Sequence, residues 1–425
     1  SYLFPYWSFP NEVEVWNTNG AMVYKVASIP IRDNLPVGGV TTSRRSFGWI
    51  PTESSTLMWV EALDGGDPRK KFAQRDRIMT HKVPTRMAPR ELIKTEQRYS
   101  GRLFGEDEGM MWFYDYNRDT RRRRIFMTDY RNPQKIQLVS DLNVRDRYNA
   151  IGNPVFKTLP NGKAVVMKND EFIYLSGRGA SPKGDRPFLR RMNLNTLKTD
   201  EIFCSGDKSY ETFVSMLSAN ASVVEYITRK EDQTTPPNLF MRQSPASLPK
   251  GSTLPAAAKQ ITNFKDPSPQ LRGITKKLVK YKRADGVDLS FTLYLPPNYK
   301  EGDRLPALLW GYPLEYTNKG VAGQVSGSTN RFTSIGGISH LFLLTQGYAI
   351  LNNATVPIVG DPLTVNDTFI EQLVAGAKAA VDKGAEMGVI DPDRVAVGGH
   401  SYGAFMTAHL LANSDIFRAG IARSG

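Results

Sequence analysis

The sequence predicts two domains of different classes: an all-β domain over residues 1–272 and an α/β domain over residues 273–425. The first prediction rests on short runs of β-branched and aromatic residues, which alternate with turn clusters and have no helical segment between them. The second rests on apolar strands that alternate with helical patterns in the last third of the chain. A third observation is Gly399-His400-Ser401-Tyr402-Gly403, a glycine-rich turn between an apolar strand and a helix.

The all-β domain begins with a hairpin, which Thr18-Asn19-Gly20 predicts between two strand-like runs. Later strand pairs recur at a spacing that suits four-stranded blades of about 40 to 45 residues. We therefore expect a β-propeller that is incomplete at its N-terminus, with a β-sandwich as the alternative. The predicted strands cover residues 13–16, 22–26, 57–63, 77–83, 112–116, 125–129, 136–140, 164–167, 172–175, 189–193, 202–204, 222–228 and 238–242.

A proline-rich connection over residues 243–270 separates the two patterns. After it a hairpin is followed by strands that alternate with helices, which indicates a parallel α/β sheet. One helix carries a stripe of apolar side chains from Phe369 to Val381, and we expect it to be capped near Asn366 or Asp367. The predicted strands cover residues 278–283, 289–295, 305–311, 348–352, 395–398 and 419–422, and the other predicted helices cover residues 338–345 and 404–411.

The turn at Ser401 has the order strand, Gly-x-Ser-x-Gly, helix, which is typical of the nucleophile elbow of α/β-hydrolases. A serine hydroxyl is a weak nucleophile, so it has to project from a strained turn towards a base. The strain holds the backbone at an unusual φ and brings neighbouring chain close, which predicts glycine at positions 399 and 403. The helix that follows would direct its free N–H groups at a developing oxyanion. The alternative is a chance glycine turn between a core strand and a core helix.

The net charge of the chain is +13, and most of it falls in the first domain. Residues 1–270 contain 40 basic and 29 acidic side chains, a surplus that would attract acidic partners. The densest basic run, residues 121–124, lies between two strand-like segments and is interpreted as a solvated hairpin turn. Because no nucleic-acid module and no membrane-spanning run accompany it, we expect neither nucleic acid nor a membrane as a partner.

Cysteine use excludes two kinds of site. Cys204 is the single cysteine of the sequence, so neither an intrachain disulfide nor a thiolate metal cluster can form. We expect no cofactor and no metal. The cysteine count suits a cytoplasmic and a periplasmic protein equally, so the sequence leaves the compartment open.

Several motifs together resemble the prolyl oligopeptidase family of serine peptidases, and within it the glutamyl endopeptidase-like branch. This resemblance implies a β-propeller joined to an α/β-hydrolase domain. It also implies that the oxyanion is held by the backbone N–H of Tyr402 and by the hydroxyl of Tyr312; the alternative for Tyr312 is a packed aromatic at the rim of the sheet. The motifs that carry the resemblance lie at residues 59–68, 281–287, 293–297, 398–406 and 420–425.

The triad of such hydrolases follows the order Ser, Asp, His. After Ser401 the sequence has 24 residues, which include Asp415 and His409. His409 lies two turns along the helix of the elbow and cannot fold back on the serine, and His400 points elsewhere on the turn. We therefore expect the catalytic Asp and His outside this chain, in the rest of the same polypeptide, and we interpret the other histidines, His81 and His340, as packing residues.

The function expected from these features is hydrolysis of peptide bonds through an acyl-enzyme on Ser401. Arg423 ends a strand beside the elbow, and the resemblance implies a glutamate before the scissile bond, so we expect Arg423 to bind that carboxylate. The alternative for Arg423 is a structural ion pair that braces a loop. Two other functions stay open: a carboxylesterase or acyl transferase on the same elbow, and a non-catalytic propeller that binds acidic partners.

Overall fold

A computed structural model describes residues 5–106, 109–220, 222–246 and 257–425. Within it the chain forms two compact units. The first comprises Ser1–Val144, Pro154–Tyr174 and Asn193–Leu197, and the second comprises Arg145–Asn153, Leu175–Met192 and Lys198–Gly425. This division does not coincide with the boundary at residue 272 that the sequence suggested, which stays a prediction.

The first part of the chain is built of β-strands, as its alternating sequence predicts. A 3₁₀ helix at Tyr6–Ser8 and another at Pro269–Leu271 flank this part. Its strands are β1 (Asn11–Trp16), β2 (Met22–Ile29), β3 (Arg45–Trp49), β4 (Thr56–Ala62), β5 (Asp76–Lys82), β6 (Arg90–Thr95), β7 (Arg98–Phe104), β8 (Met110–Asn117), β9 (Arg122–Asp129), β10 (Gln137–Asn143), β11 (Asn153–Pro154), β12 (Phe156–Thr158), β13 (Ala164–Val166), β14 (Lys168–Asn169), β15 (Phe172–Gly177), β16 (Phe188–Asn193), β17 (Thr199–Cys204), β18 (Tyr210–Ala219), β19 (Val223–Glu231), β20 (Asn238–Pro245) and β21 (Ala257–Gln260).

Most of these strands pair with their neighbours in sequence. The predicted hairpin forms between β1 and β2, which are antiparallel. Four-stranded sheets follow in the orders β3-β4-β5-β6, β10-β9-β8-β7 and β18-β19-β20-β21. A further sheet has the order β11-β15-β16-β17 with β14 on β15, and β12 pairs with β13. The fold class is therefore mostly β-sheet, as expected.

The last part of the chain is the predicted α/β segment. Its 3₁₀ helices are His340–Gln346 and Val365–Thr368. Its strands and α-helices are β22 (Thr275–Lys282), β23 (Asp288–Leu295), β24 (Leu305–Tyr316), α1 (Lys319–Ala322), β25 (Ala349–Val359), α2 (Phe369–Glu386), β26 (Ile390–His400), α3 (Tyr402–Asn413) and β27 (Ala419–Arg423).

These six strands form one sheet in the order β22-β23-β25-β24-β26-β27. The strands from β25 to β27 are parallel to one another, whereas β22 and β23 form an antiparallel hairpin at one side. The sheet is thus mixed, and the prediction of a parallel sheet holds for its last four strands. Ligands of such sheets bind where parallel strands end, so the C-terminal ends of β24, β26 and β27 set the place of a site.

The structure refines two local predictions for this segment. The segment predicted as a helix over residues 338–345 is the 3₁₀ helix His340–Gln346, which ends at Gly347 in the left-handed region with φ 83°. Helix α2 has Thr368 as its N-cap residue, because the 3₁₀ helix Val365–Thr368 runs directly into it. Asn366 and Asp367 therefore lie inside that 3₁₀ turn.

The core of the α/β segment lies between the sheet and its two long helices. Leu373, Ala377 and Val381 recur at helical spacing on α2 and are all buried there. They pack in the same cluster as Val397 of β26 and Met406 of α3. This packing fixes the start of α3 against the end of β26, which is where the elbow lies.

Candidate active site

Ser401 lies at the junction of β26 and α3, as the motif predicts. Its φ is 55° and its ψ is −117°, a conformation that a residue with a side chain rarely adopts. The turn is held by backbone hydrogen bonds: the N–H of Ser401 donates to the carbonyl of Arg423 at 2.9 Å, and its carbonyl accepts from Ala404 at 2.8 Å. The side chain is exposed. The strain that the sequence predicted is therefore on the serine itself.

Glycine is required on both sides of Ser401 by close approach of the backbone. A Cβ on Gly399 would lie 2.6 Å from the Cα of Gly403, and a Cβ on Gly403 would lie 2.6 Å from the carbonyl oxygen of Gly311. Neither glycine has a positive φ, in contrast to the serine. The two glycines thus let β24, β26 and α3 converge, which allows the serine to project at their meeting point.

Tyr402 is the first residue of α3, so its backbone N–H lies at the positive end of the helix dipole. Its phenol donates a hydrogen bond of 2.8 Å to Oε1 of Glu315 on β24. Burial, and then the neighbouring Glu315 carboxylate, raise the pKa of Tyr402 well above its usual range. The phenol is therefore a neutral donor at all physiological pH values, and it holds its ring beside the elbow.

Tyr312 lies on β24, two residues beyond Trp310, at which pairing of this strand with β26 ends. Its ring meets that of Tyr402 edge to face, with 6.0 Å between the ring centroids, and a Cβ on Gly403 would lie 3.7 Å from its Cδ2. Tyr312 is 47% exposed, so it is not a packed core residue. The structure brings Tyr312, Tyr402 and the turn of Ser401 together, and the part of Tyr312 in catalysis stays a prediction.

Arg423 is the last residue of β27 and lies opposite His400 of β26 in the parallel register. Its carbonyl accepts hydrogen bonds from the N–H of Ser401 and, at 3.2 Å, from Nδ1 of His400. Its side chain is partly buried. No carboxylate of the described residues pairs with its guanidinium, so the ion pair considered for it is not formed here.

On the face of β24 opposite α2 and α3, His340, which the sequence analysis interprets as a packing residue, lies against Trp310. The ring of His340 stacks on Trp310 with 4.1 Å between centroids and 6° between planes, and its Nε2 lies 2.7 Å from Oδ1 of Asn352. Burial lowers the pKa of His340, and the charge of Arg423 lowers it further. His340 is therefore uncharged at neutral pH, and it is close enough to Arg423 to feel its positive charge. Its sequence context gave no signal for this position.

The histidines do not supply a base for Ser401 within the described part of the chain. His81 is buried in β5 and contacts the ring of Tyr24 at 4.7 Å. The ring of His409 on α3 contacts that of Phe405, with 4.2 Å between the ring centroids, and His400 is exposed. No side-chain hydrogen bond joins any histidine to the Ser401 hydroxyl. The interpretation of all four as non-catalytic residues agrees with these contacts, and the location of the triad Asp and His stays a prediction.

Neither metal ligation nor a membrane span adds to this site. Among the residues that the structure covers, no cluster of His, Cys, Asp or Glu side chains is arranged to hold a metal ion. In the same residues no helix is both long and apolar enough to cross a membrane. What the site offers is an exposed serine on a strained turn, a helix N-terminus, two tyrosines and an arginine.

Two curated plant proteins are similar to the whole chain. It is 36% identical over 449 aligned residues to a probable chloroplastic glutamyl endopeptidase of Oryza sativa subsp. japonica, and 36% identical over 447 to one of Arabidopsis thaliana. These alignments include 100% of this chain but 46% and 45% of the plant proteins. The chain thus spans about half the length of the curated relatives it matches.

A solved structure and a family model agree with these relatives. A structure of an acylaminoacyl peptidase in complex with Z-Gly-Gly-Phe-chloromethyl ketone superimposes with a TM-score of 0.54 at 15% identity, covering 97% of this chain and 55% of that one. This likeness concerns the fold. Residues 365–425, which contain α2, the elbow and β27, match the model of the prolyl oligopeptidase family. These matches confirm the resemblance that the motifs implied, to the prolyl oligopeptidase family of serine peptidases and its glutamyl endopeptidase-like branch.

Proposed function

We propose that the natural protein is a serine peptidase that hydrolyses peptide bonds through an acyl-enzyme on Ser401. The observation that carries this proposal is the backbone of Ser401 at φ 55°, at a strand-to-helix turn that glycines 399 and 403 allow to close. A strained, exposed serine at a helix N-terminus has the position of a nucleophile rather than of a core residue. The family relationship supports the same chemistry.

In the proposed reaction, the Ser401 hydroxyl attacks a peptide carbonyl and the amine leaves, and water then releases the acyl group. The negative charge on the carbonyl oxygen is stabilised by the N–H of Tyr402 and the hydroxyl of Tyr312. These two donors belong to different elements, α3 and β24, which the close contact of Gly403 with the Gly311 carbonyl brings together. The base and its orienting carboxylate come from outside the described residues in this proposal.

The proposed specificity is cleavage after glutamate, with Arg423 as the residue that binds the glutamate side chain. Its position at the C-terminal end of β27, beside the turn of Ser401, supports this role. So does the lack of a carboxylate partner for its guanidinium among the described residues, because a partly buried cation gains most from an ionic partner. The plant relatives carry the name glutamyl endopeptidase.

We further propose that the β-rich part is a β-propeller that restricts access of substrates. Its consecutive four-stranded antiparallel sheets, β3-β4-β5-β6 and then β10-β9-β8-β7, are what blades require. The excess of basic residues in this part favours acidic peptides among the substrates.

The nucleophile can be tested with a fluorophosphonate probe on the natural full-length protein. We expect labelling of the wild type and of Ser334→Ala, which lacks an exposed serine outside the elbow, and no labelling of Ser401→Ala. Matched peptide and ester substrates then separate a peptidase from a carboxylesterase. Labelling that persists in Ser401→Ala would remove this serine from the mechanism, and ester turnover without peptide turnover would replace the proposed reaction.

A further inference from the structure

Two adjoining cavities lie in the first unit, beside strands β3, β7, β8 and β9. One measures about 430 Å³ and is lined by residues of β3 and β7, among them Trp49, Tyr99 and Arg102. The other measures about 460 Å³ and is lined by residues of β7, β8 and β9, among them Tyr114 and Arg123. Ser100, Gly101 and Arg102 line both, so the two cavities share a wall. Both are wide open to solvent, so together they form an accessible concave surface.

Both cavities carry positive charge without a counter-charge. Among the described residues no carboxylate lines either cavity, and none pairs with Arg102 or Arg123. An arginine keeps its charge at all accessible pH values, so a concave wall with two arginines attracts anions. The other lining groups are mainly aromatic rings and small polar side chains.

The alternation of side chains along β8 and β9 explains why Arg123 is unpaired. Asp115 faces Arg124 across these strands, and the two side chains form an ion pair of 2.5 Å. The next pair in the register is Tyr116 with Arg123, whose side chains point to the opposite face of the sheet. There the Arg123 guanidinium lies 5.7 Å from the ring centroid of Tyr114. Successive arginines therefore differ in role: one is neutralised, and the other lines the cavity.

Arg102 is held in place by neutral acceptors. Its Nη1 donates to the carbonyl of Ser46 at 2.9 Å and to the hydroxyl of Tyr99 at 3.0 Å. Its Nη2 lies over Gly48, where a Cβ would approach within 2.6 Å. The absence of a side chain at position 48 thus lets the guanidinium approach β3 closely. The Arg102 guanidinium is thus held in a fixed position, keeps its positive charge, and has further N–H groups that can donate to a ligand.

We propose that these two cavities form a binding site for acidic peptides, in which Arg102 and Arg123 bind carboxylates and the neighbouring tyrosines contact the peptide. An acidic peptide fits because it supplies the carboxylates that the site lacks and apolar stems that pack on aromatic rings. The surplus of basic residues in the first 270 positions adds a long-range attraction for the same ligand. The residues of this site belong to the first unit, whereas Ser401 belongs to the second.

The test measures binding of a fluorescein-labelled oligo-aspartate peptide by fluorescence anisotropy. The natural full-length protein carries Ser401→Ala in all samples, so that the peptide is not cleaved. We expect the further change Arg102→Gln with Arg123→Gln to weaken binding by about 10-fold or more, since each arginine loses a charge-assisted hydrogen bond. An oligo-asparagine peptide of the same length should compete poorly.

The matched control is Lys71→Gln with Lys163→Gln, which removes the same charge from two exposed positions outside both cavities. It should change the affinity by less than about 2-fold, because neither lysine lines a cavity and each acts on the bound peptide only through a screened field. Equal losses in the arginine and lysine pairs would show general charge attraction and overturn the proposal. Equal binding of the asparagine peptide would overturn it as well. If the double arginine variant does not fold, Arg123→Gln alone takes its place and should still weaken binding measurably.

This inference adds an acidic-ligand site to the proposed peptidase, and the two can fail separately. Binding is read in a variant without the Ser401 hydroxyl, so the result does not depend on turnover. Probe labelling at Ser401 without arginine-dependent binding would leave the enzyme proposal intact. Arginine-dependent binding without probe labelling would support the acidic-peptide site and contradict the proposed role of Ser401.

Discussion

The phenol of Tyr402 donates a hydrogen bond of 2.8 Å to the carboxylate of Glu315, which connects the first residue of α3 to β24. The same ring stacks against Phe369 at the start of α2, 5.8 Å between centroids, and meets the ring of Tyr312 edge to face. This side chain of α3 thus contacts two other elements around the elbow, β24 and α2. Because Tyr402 and Tyr312 are also the proposed oxyanion donors, this contact is a means of setting their mutual geometry.

Tyr312→Phe should lower kcat of the natural full-length protein by about 10²–10³, as is typical for the loss of one oxyanion donor. KM should change little, since the donor acts on charge that develops in the transition state. Steady-state kinetics on a peptide substrate would measure both. Tyr348→Phe is the matched control, because Tyr348 directly precedes β25, at the end of the parallel strands opposite to the elbow. A kcat unchanged in Tyr312→Phe would exclude this residue from the site.

Tyr402→Phe keeps the backbone N–H and the ring but removes the hydrogen bond to Glu315. We expect kcat to fall by about 3- to 10-fold, because a loosened Tyr402 ring positions Tyr312 less well. The effect should be below about 2-fold when Tyr312→Phe is already present, since residues in one contact chain are not additive. Glu315→Gln, which retains an acceptor, should lie between wild type and Tyr402→Phe. Independent effects of the two tyrosine changes would contradict a positioning role.

Gly403→Ala should disrupt the elbow, because its Cβ would lie 2.6 Å from the rigid backbone carbonyl of Gly311. We expect stability to fall by about 1–3 kcal/mol, as for other overpacked sites. Labelling by a fluorophosphonate should slow by about 100-fold or more, since small displacements of a nucleophile have effects of that size. Gly336→Ala is the matched control: no heavy atom lies within 4 Å of the Cβ it would add. Similar labelling of both variants would refute the proposed reason for glycine here.

The elbow was predictable because its signal is local. Gly399, Ser401 and Gly403 are close in sequence, and strand and helix patterns flank them. The stack of His340 on Trp310 was not predictable, because the sheet and a 3₁₀ helix bring together residues 30 positions apart. Arrangements of this kind depend on tertiary packing, which periodicity does not report.

The same reason explains strands that the sequence analysis missed. Strand β7 contains Arg98, a residue type that suggests a solvent-exposed loop. In the structure its side chain is 14% exposed, and its guanidinium pairs with the buried carboxylates of Asp64 and Asp76 at 2.7 and 2.6 Å. A charged side chain is compatible with a buried strand only when distant residues neutralise it. Its partners lie 34 and 22 positions earlier in the chain.

Tyr281→Phe should stabilise the protein. The Tyr281 hydroxyl is buried and has no hydrogen-bond partner among the described residues. Removing it should raise the free energy of unfolding by about 1 kcal/mol, as expected for the loss of an unsatisfied buried donor. Tyr226→Phe, at a buried tyrosine whose hydroxyl lies 2.8 Å from that of Ser244, should instead lower stability by about 1 kcal/mol. Denaturant unfolding at neutral pH measures both, and the same sign in both variants would contradict the argument.

Tyr281 also predicts a pH dependence. Burial raises the pKa of Tyr281 far above its usual range. The free energy of unfolding of the wild type is therefore unaffected by this titration below the pKa of an unfolded tyrosine, about 10. It falls as the pH rises from there towards the folded pKa, because only the unfolded state loses the proton. Tyr281→Phe lacks this titration, so its advantage over wild type should grow above about pH 10. An advantage that stays constant from neutral to alkaline pH would argue against a buried, neutral phenol.

Arg423→Met should remove the proposed preference for glutamate. The guanidinium lies at the end of β27, where the backbone of the same residue accepts a hydrogen bond from Ser401, and so a bound carboxylate there is near the nucleophile. Loss of a charge-assisted hydrogen bond should reduce kcat/KM for a glutamate substrate by about 10- to 100-fold. A glutamine substrate of otherwise equal sequence should lose far less.

The ratio of kcat/KM between the glutamate and glutamine substrates is the quantity to compare, because general damage to the active site lowers both alike. Arg418→Met is the matched control: Arg418 directly precedes β27, pairs with Asp393 at 3.4 Å, and lies at the far end of that strand from the elbow. Its ratio should equal that of the wild type. Added salt should lower the wild-type ratio only modestly, because Arg423 is partly buried and salt screens buried charges less than exposed ones. If Arg423→Met keeps the full wild-type ratio, Arg423 does not bind the substrate, and specificity has to come from other residues.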